Sequence, residues 1–266
     1  MKYITFICLI FAISVSLTSR ATEQEPDRLV INGDTMLLHA LPLQQLKEPN
    51  IWKIPFFPDS LNSFSTGCWR GYIAFWEVID NQLYLTDIYN DRLNAKADLV
   101  SLFGDKVYYG KVHANWFSDT VTAYRGKLLY YMHMGFSSIF EHEFEYSFEK
   151  GELKNSVYFD NSMSKNTPFI MEISNLRPTI DSLINWKALP LIDKTVRVQL
   201  IVEANESGQV DSVLEIHGNS YIFKQEALRV ARSLTQLPVI YKRGKLLQQS
   251  FFLPFIFTRE KQQQIR

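Results

Sequence analysis

Several short constellations of the chain carry side chains able to do chemistry. Glu141-His142-Glu143 brings two carboxylates and an imidazole together, donors that could serve a zinc ion or general acid–base work. In an extended segment alternate side chains point to opposite faces, so Glu141 and Glu143 share one face and His142 takes the other. The three cannot close on one ion without a bulge, and no second histidine follows at helical spacing, which excludes the zinc-protease arrangement. They read as a solvated carboxylate face. His113 and His133 stand among aromatics and read as hydrogen-bonded packing residues.

Gly135-Phe136-Ser137-Ser138 lacks the closing glycine and the strand-to-helix setting of a nucleophile elbow. Cys68, in Gly67-Cys68-Trp69-Arg70-Gly71, reads as a small buried hydrophobe and not as a reactive thiolate. Asp87, Asn90 and Asp91 offer oxygen ligands but neither the spacing nor the mid-loop glycine of a calcium loop. Arg243-Gly244-Lys245 is a turn between extended segments, not a phosphate loop. No catalytic residue, cofactor or metal is expected, and the chain reads as non-enzymatic. A metal-free hydrolase, in which one of these histidines meets a carboxylate and a nucleophile, stands as the third reading.

Composition narrows the partners. Lys plus Arg and Asp plus Glu balance at 28 each with no long single-sign run, so neither nucleic acid nor an anionic membrane surface has an electrostatic case. Apolar residues make up 46%, ample for a core. Lys2 followed by an apolar run over residues 4–17 and by Ser19-Arg20-Ala21 has the order of a secretion signal. That run, about 14 residues, is short of the roughly 20 a spanning helix needs. Cleavage after Ala21 is the preferred reading; a retained anchor flanked by Arg20 is the other, and only then is a membrane a partner. Cys8 lies inside the apolar run and is no lipoprotein cysteine, so the exported chain keeps one thiol, Cys68, and must be held by packing.

These elements would have to position any site. Asn32-Gly33, Asp80-Asn81, Tyr124-Arg125-Gly126-Lys127 and Glu149-Lys150-Gly151-Glu152 are turn signals between β-rich runs, and residues 106–160 read as an antiparallel meander. Residues 72–77 carry large side chains on both sides, as in a strand covered on both faces. Residues 40–65 are broken by Pro42, Pro49, Pro55 and Pro58 and read as loop; residues 91–103 hold a short helix. Past a polar, proline-broken stretch in which residues 180–186 read as a short helix, Val196, Val198, Leu200 and Val202 mark a half-buried strand, with its hairpin partner at 210–216. A helix over 222–234 buries Phe223, Ala227, Val230, Ala231 and Leu234, and a last strand spans 246–257. Pro254 cannot donate to a ladder, which leaves one edge of that strand free or irregular.

The run Val196-Arg197-Val198-Gln199-Leu200-Ile201-Val202, then Gly208-Gln209-Val210-Asp211-Ser212-Val213, then Glu226-Ala227-Leu228-Arg229-Val230, then Leu253-Pro254-Phe255-Ile256-Phe257 resembles the C-terminal domain of TonB-family proteins. The resemblance implies a β-β-α-β module in the periplasm that receives an extended peptide, the TonB box of an outer-membrane receptor, by addition beside its last strand. Carried over by position, the peptide-binding edge is Leu247, Gln249, Phe251, Leu253, Phe255 and Phe257. The chain departs from an energy-transducing TonB in lacking a firm anchor, a long Pro-rich spacer and the tyrosine-proline element before the first strand, which puts force transmission in doubt. Residues 68–151 resemble uncharacterised β-rich bacterial segments, a resemblance that implies no activity.

The expected architecture is therefore α+β and predominantly β: a leader (1–21), an antiparallel β-rich domain (22–165), a linker (166–190), a TonB-like module (191–258) and a polar tail (259–266). The first functional expectation is a non-enzymatic protein of a Gram-negative envelope that binds a peptide, or serves as a scaffold, through its last strand. The second is a structural or apolar-ligand-binding protein whose C-terminal module only packs on the N-terminal sheet, with Trp69, Tyr72, Trp76 and Trp116 lining a pocket.

Overall fold

A computed structural model describes residues 22–61, 65–165 and 173–265. The expected leader and its cleavage position after Ala21 lie outside the described residues, as does the first part of the expected linker, 166–172. The chain is mostly strand, with one large mixed sheet and few helices. Among the described residues no helix is long and apolar enough to cross a membrane.

The large sheet is built from tight hairpins. Asn32 and Gly33, both at positive φ, join β1 (Asp27–Ile31) to β2 (Asp34–Leu38). Asp80 and Asn81 join β3 (Tyr72–Ile79) to β4 (Gln82–Asn90), and Lys150 and Gly151 join β8 (Ile139–Glu149) to β9 (Glu152–Asp160), in the same way. Two successive left-handed residues match the twist of the strands they connect, which is why asparagine, aspartate and glycine recur there. A further hairpin of this kind, β5 (Val107–Tyr108) to β6 (Lys111–His113), turns on Tyr109 and Gly110 and has no obvious turn signal in its sequence.

Strand order is β3-β1-β2-β7-β8-β9-β4-β6-β5, with β7 at Asp119–Tyr130, and β3 pairs again with β4. The sheet thus closes on itself through β3, β1, β2, β7, β8, β9 and β4, which leaves few open edges. Among the described strands only β1 and β3 run parallel; the closure of β4 on β9 rests on the single pair Gln82↔Glu152. The core of this unit gathers Leu29, Leu38, Trp76, Leu83, Leu85, Ile88 and Phe117. Tyr72, Ile73 and Ala74 are all buried, so the start of β3 is covered on both faces as its composition predicts.

One expectation fails here. Tyr124-Arg125-Gly126-Lys127 is not a turn but lies within β7, where Arg125 pairs with His142 and Leu128 with Phe140. The extra residue on β7 makes a bulge, and Gly126, at φ 88°, supplies the left-handed conformation that bulges and turns both demand. A Cβ there would come within 2.8 Å of Glu141 Oε2. The short helix expected within 91–103 is α1 (Leu99–Phe103), started by Asp98, whose carboxylate accepts from Val100 N and Ser101 Oγ. The preceding residues wrap instead around the buried Asn90 side chain.

The second unit is a three-stranded sheet in the order β11 (Val210–His217), β10 (Val196–Ala204), β14 (Ser250–Phe257), with α3 (Tyr221–Ser233) packed on one face. The expected last strand splits. β12 (Tyr241–Lys242) and β13 (Lys245–Leu246) form a separate hairpin turned by Arg243 and Gly244, and Leu247 N donates to Ile240 O before the chain enters β14. Within the stretch expected as a linker, Leu176, Ile180, Ile184, Trp186 and Leu189 are buried in the second core, several of them around α2 (Arg177–Leu183), as is Ile192 just beyond it. Its prolines break regular structure without preventing burial. The polar tail is likewise structured, as α4 (Arg259–Ile265), whose Gln262 is buried and donates to the carbonyls of Trp186, Leu189 and Pro190 while accepting from Ile192 N.

The β12–β13 hairpin binds the second unit to the first. Buried Glu143 of β8 accepts from Arg243 N and from Asn161 Nδ2, while Asn161 Oδ1 accepts from Gly244 N. Arg243 Nη1 donates to Glu145 Oε2, and its guanidinium lies 4.6 Å from the centroid of the Phe159 ring. Lys165 and Val239 exchange backbone hydrogen bonds beside this cluster.

Candidate functional site

The outer strand of the second sheet is the first candidate. β14 is bonded by β10 along its whole length, Ser250↔Glu203 to Phe257↔Val196, and among the described residues no strand pairs with its other side. The turn Ile173–Leu176 lies nearby, with Leu176 buried in the core. Register is unbroken through Gln199↔Pro254. Proline is accommodated within a sheet where its nitrogen faces away from the partner strand, which puts Pro254 N on the unpaired side.

Of the residues expected on this edge, Leu247 and Gln249 fall before β14. Leu253, Phe255 and Phe257 point into the core under α3, and Phe251 is partly buried beside them. The side chains left on the outer face are the alternate ones, Phe252, Pro254 and Ile256, opposite Ile201, Gln199 and Arg197. Phe252 is 46% exposed. Both rows of this strand are apolar, so parity alone did not reveal which row faces the core.

The four aromatics expected around a pocket are dispersed. Trp76 is fully buried and meets partly buried Trp116 edge to face at 6.4 Å, both in the first core. Trp69 is 60% exposed. Tyr72 alone lines a cavity, of about 200 Å³, together with Trp52, Phe56, Phe57 and Arg70. These partners sit in the proline-broken loop and in the Cys68-Trp69-Arg70-Gly71 turn, and their convergence depends on tertiary folding that no local pattern announces.

Beside that cavity lies a buried ion pair. Arg70 Nη2 donates to Asp27 Oδ1 at 3.1 Å and to Glu25 O at 2.7 Å, with both charged side chains essentially inaccessible. Asp27 also accepts from Ala74 N at 3.1 Å and from Trp76 Nε1 at 3.0 Å. Burial raises the Asp27 carboxyl to about 6, against the opposing pull of Arg70 and the hydrogen bonds. Arg70 Nε and Nη1 and the Tyr72 hydroxyl, by contrast, are buried without a hydrogen-bond partner. The guanidinium lies 5.4 Å from the centre of the Tyr72 ring. Burial pushes the Tyr72 phenol upward, with the Asp27 charge acting in the same direction.

The remaining candidates have structural partners. Glu143 faces the docking hairpin, while His142 Nδ1 on the other face lies 2.9 Å from Tyr158 Oη. His113 Nε2 contacts Gln82 Oε1 at 2.8 Å, and His133 meets Tyr131 edge to face. Buried Ser138 accepts from Met132 N. Cys68 is buried, its Sγ set against Tyr72 O, and burial raises its thiol pKa. Asn90 holds the carbonyl of Leu61 and the loop at Asn94 and Ala95. Among the described residues no three His, Cys, Asp or Glu side chains are grouped to hold a metal ion. No protein-family model matches the chain, and no curated protein or solved structure matches it significantly.

Proposed function

We propose that this is a non-enzymatic protein exported to a Gram-negative envelope, whose C-terminal unit binds an extended peptide by strand addition beside β14. The observation that carries this reading is the one-sided pairing of β14: β10 takes one edge, and among the described residues the other edge has no strand partner. Main-chain hydrogen bonds along that edge supply affinity, and the outward row Phe252, Pro254 and Ile256 offers apolar contact to alternate side chains of the incoming peptide. The order β10, β11, α3, β14 accords with the β-β-α-β order that the resemblance to TonB C-terminal domains implies, with the β12–β13 hairpin as an insertion before the last strand.

That insertion gives the module a fixed mounting. The buried Glu143, Asn161 and Gly244 contacts tie it to the first sheet, so the peptide-binding edge is held on a rigid neighbour and not on a flexible spacer. A recruiting or scaffold role fits this better than transmission of force. Calorimetric titration of the full exported chain with TonB-box peptides tests the reading. Saturable binding that is abolished when alternate peptide nitrogens are methylated is expected. Binding that survives methylation, or no binding at all, contradicts it.

A further inference from the structure

We infer that the cavity over Arg70 and Tyr72 is a binding site for a small aromatic carboxylic acid. It belongs to the first unit, so it stands or falls separately from strand addition at β14.

The polar end of the site is set by an imbalance in hydrogen bonding. Arg70 has three nitrogens, and only Nη2 is partnered, by Asp27 and Glu25 O. Nε and Nη1 are buried and unpartnered, and so is the hydroxyl of Tyr72; both residues line the cavity. A buried donor left unpaired is costly, and a guanidinium offers donors only, so the group that relieves it must bring acceptor oxygens. A carboxylate supplies several and is held by charge-assisted bonds, which are the strong ones. Asp27 accepts from Ala74 N, Trp76 Nε1 and Nη2 and bonds neither Nε nor Nη1.

The rest of the wall sets the other end of the ligand. Trp52, Phe56 and Tyr72 present rings, Phe56 lying 5.8 Å from Trp52 and 5.3 Å from Tyr72 between centroids. Trp52 and Ile54 are each 43% exposed, which gives the cavity an apolar mouth on a loop held by short 3-10 turns. A volume of about 200 Å³ fits one ring and a short acid arm, since a dry cavity of ~150 Å³ already takes benzene.

The test is calorimetric titration of the full chain with benzoate and phenylacetate, and with benzamide and phenylacetamide as neutral matches. At least one acid is expected to bind, with its amide at least tenfold weaker. Arg70→Lys keeps the charge opposite Asp27 but removes the spare donors, and is expected to weaken the acid at least tenfold. Phe56→Ala, which leaves both members of the ion pair in place, is expected to weaken acid and amide alike and keeps the site testable if the Arg70 variant does not fold. Failure of both acids to bind, equal binding of acid and amide, or unchanged binding in Phe56→Ala overturns the assignment.

Discussion

Pro254 stands directly opposite Gln199 in a ladder that continues without a register shift on either side. Its missing N–H therefore falls on the unpaired edge of β14, where it removes one donor from the row that an incoming strand would use. Such a gap limits promiscuous edge-to-edge pairing while leaving the neighbouring positions available. Pro254→Val restores the donor. Peptide affinity is expected to rise several-fold, and self-association at high concentration to become measurable by light scattering. Unchanged behaviour in both assays would place the proline nitrogen toward β10 instead.

The two units are joined by contacts of unequal weight. Asn161→Ala leaves Glu143 and Gly244 N without their buried partner and is expected to cost about 2 kcal/mol. Arg243→Ala removes an ion pair whose guanidinium is half exposed, and is expected to cost under about 1 kcal/mol. Chemical denaturation of the two variants checks the ranking.

Gln262 shows how much of the C-terminal unit depends on its last helix. Gln262→Leu withdraws the acceptor for Ile192 N and the donor for three carbonyls around Trp186, Leu189 and Pro190. A loss of about 2–3 kcal/mol is expected, read as a lowered denaturation midpoint.

Two buried groups give opposite pH dependences. Asp27 titrates at about 6 in the folded chain against 3.8 ordinarily, so the folded state holds a proton the unfolded state has released, and stability is lost as pH rises through that window. His39, packed against Tyr124, Phe136 and Phe140, is lowered by burial to about 4 from 6.5, so stability is lost as pH falls through its window. Each is worth of the order of 3 kcal/mol, and between them the slopes offset. Relative to the unaltered chain, Asp27→Asn is expected to lose stability faster between about pH 6 and pH 4, and His39→Asn to gain it. Denaturant titrations across that range decide the signs.

The hairpins at Asn32-Gly33, Asp80-Asn81 and Lys150-Gly151 were legible because left-handed turns leave a residue signature, and α3 because its apolar face repeats at helical spacing. Gly126 was misread since a bulge and a turn ask the same of the backbone. The burial around residues 176–192 and of Gln262 is not legible in the sequence, because prolines and polar residues look like linker and tail until a second core supplies their partners. The cavity at Arg70 and Tyr72 was half visible. Tyr72 stood out as an aromatic, but the unpaired guanidinium nitrogens depend on the distant Asp27 and Glu25, which no spacing connects to Arg70.

Amide hydrogen exchange of the full chain, with and without a saturating TonB-box peptide, tests strand addition most directly. The account predicts that amides of Ser250–Phe257 on the side away from β10 exchange freely without peptide and slow at least tenfold with it, while β11 is unchanged. Full protection of that edge before any peptide is added, or exchange the peptide does not alter, would contradict it.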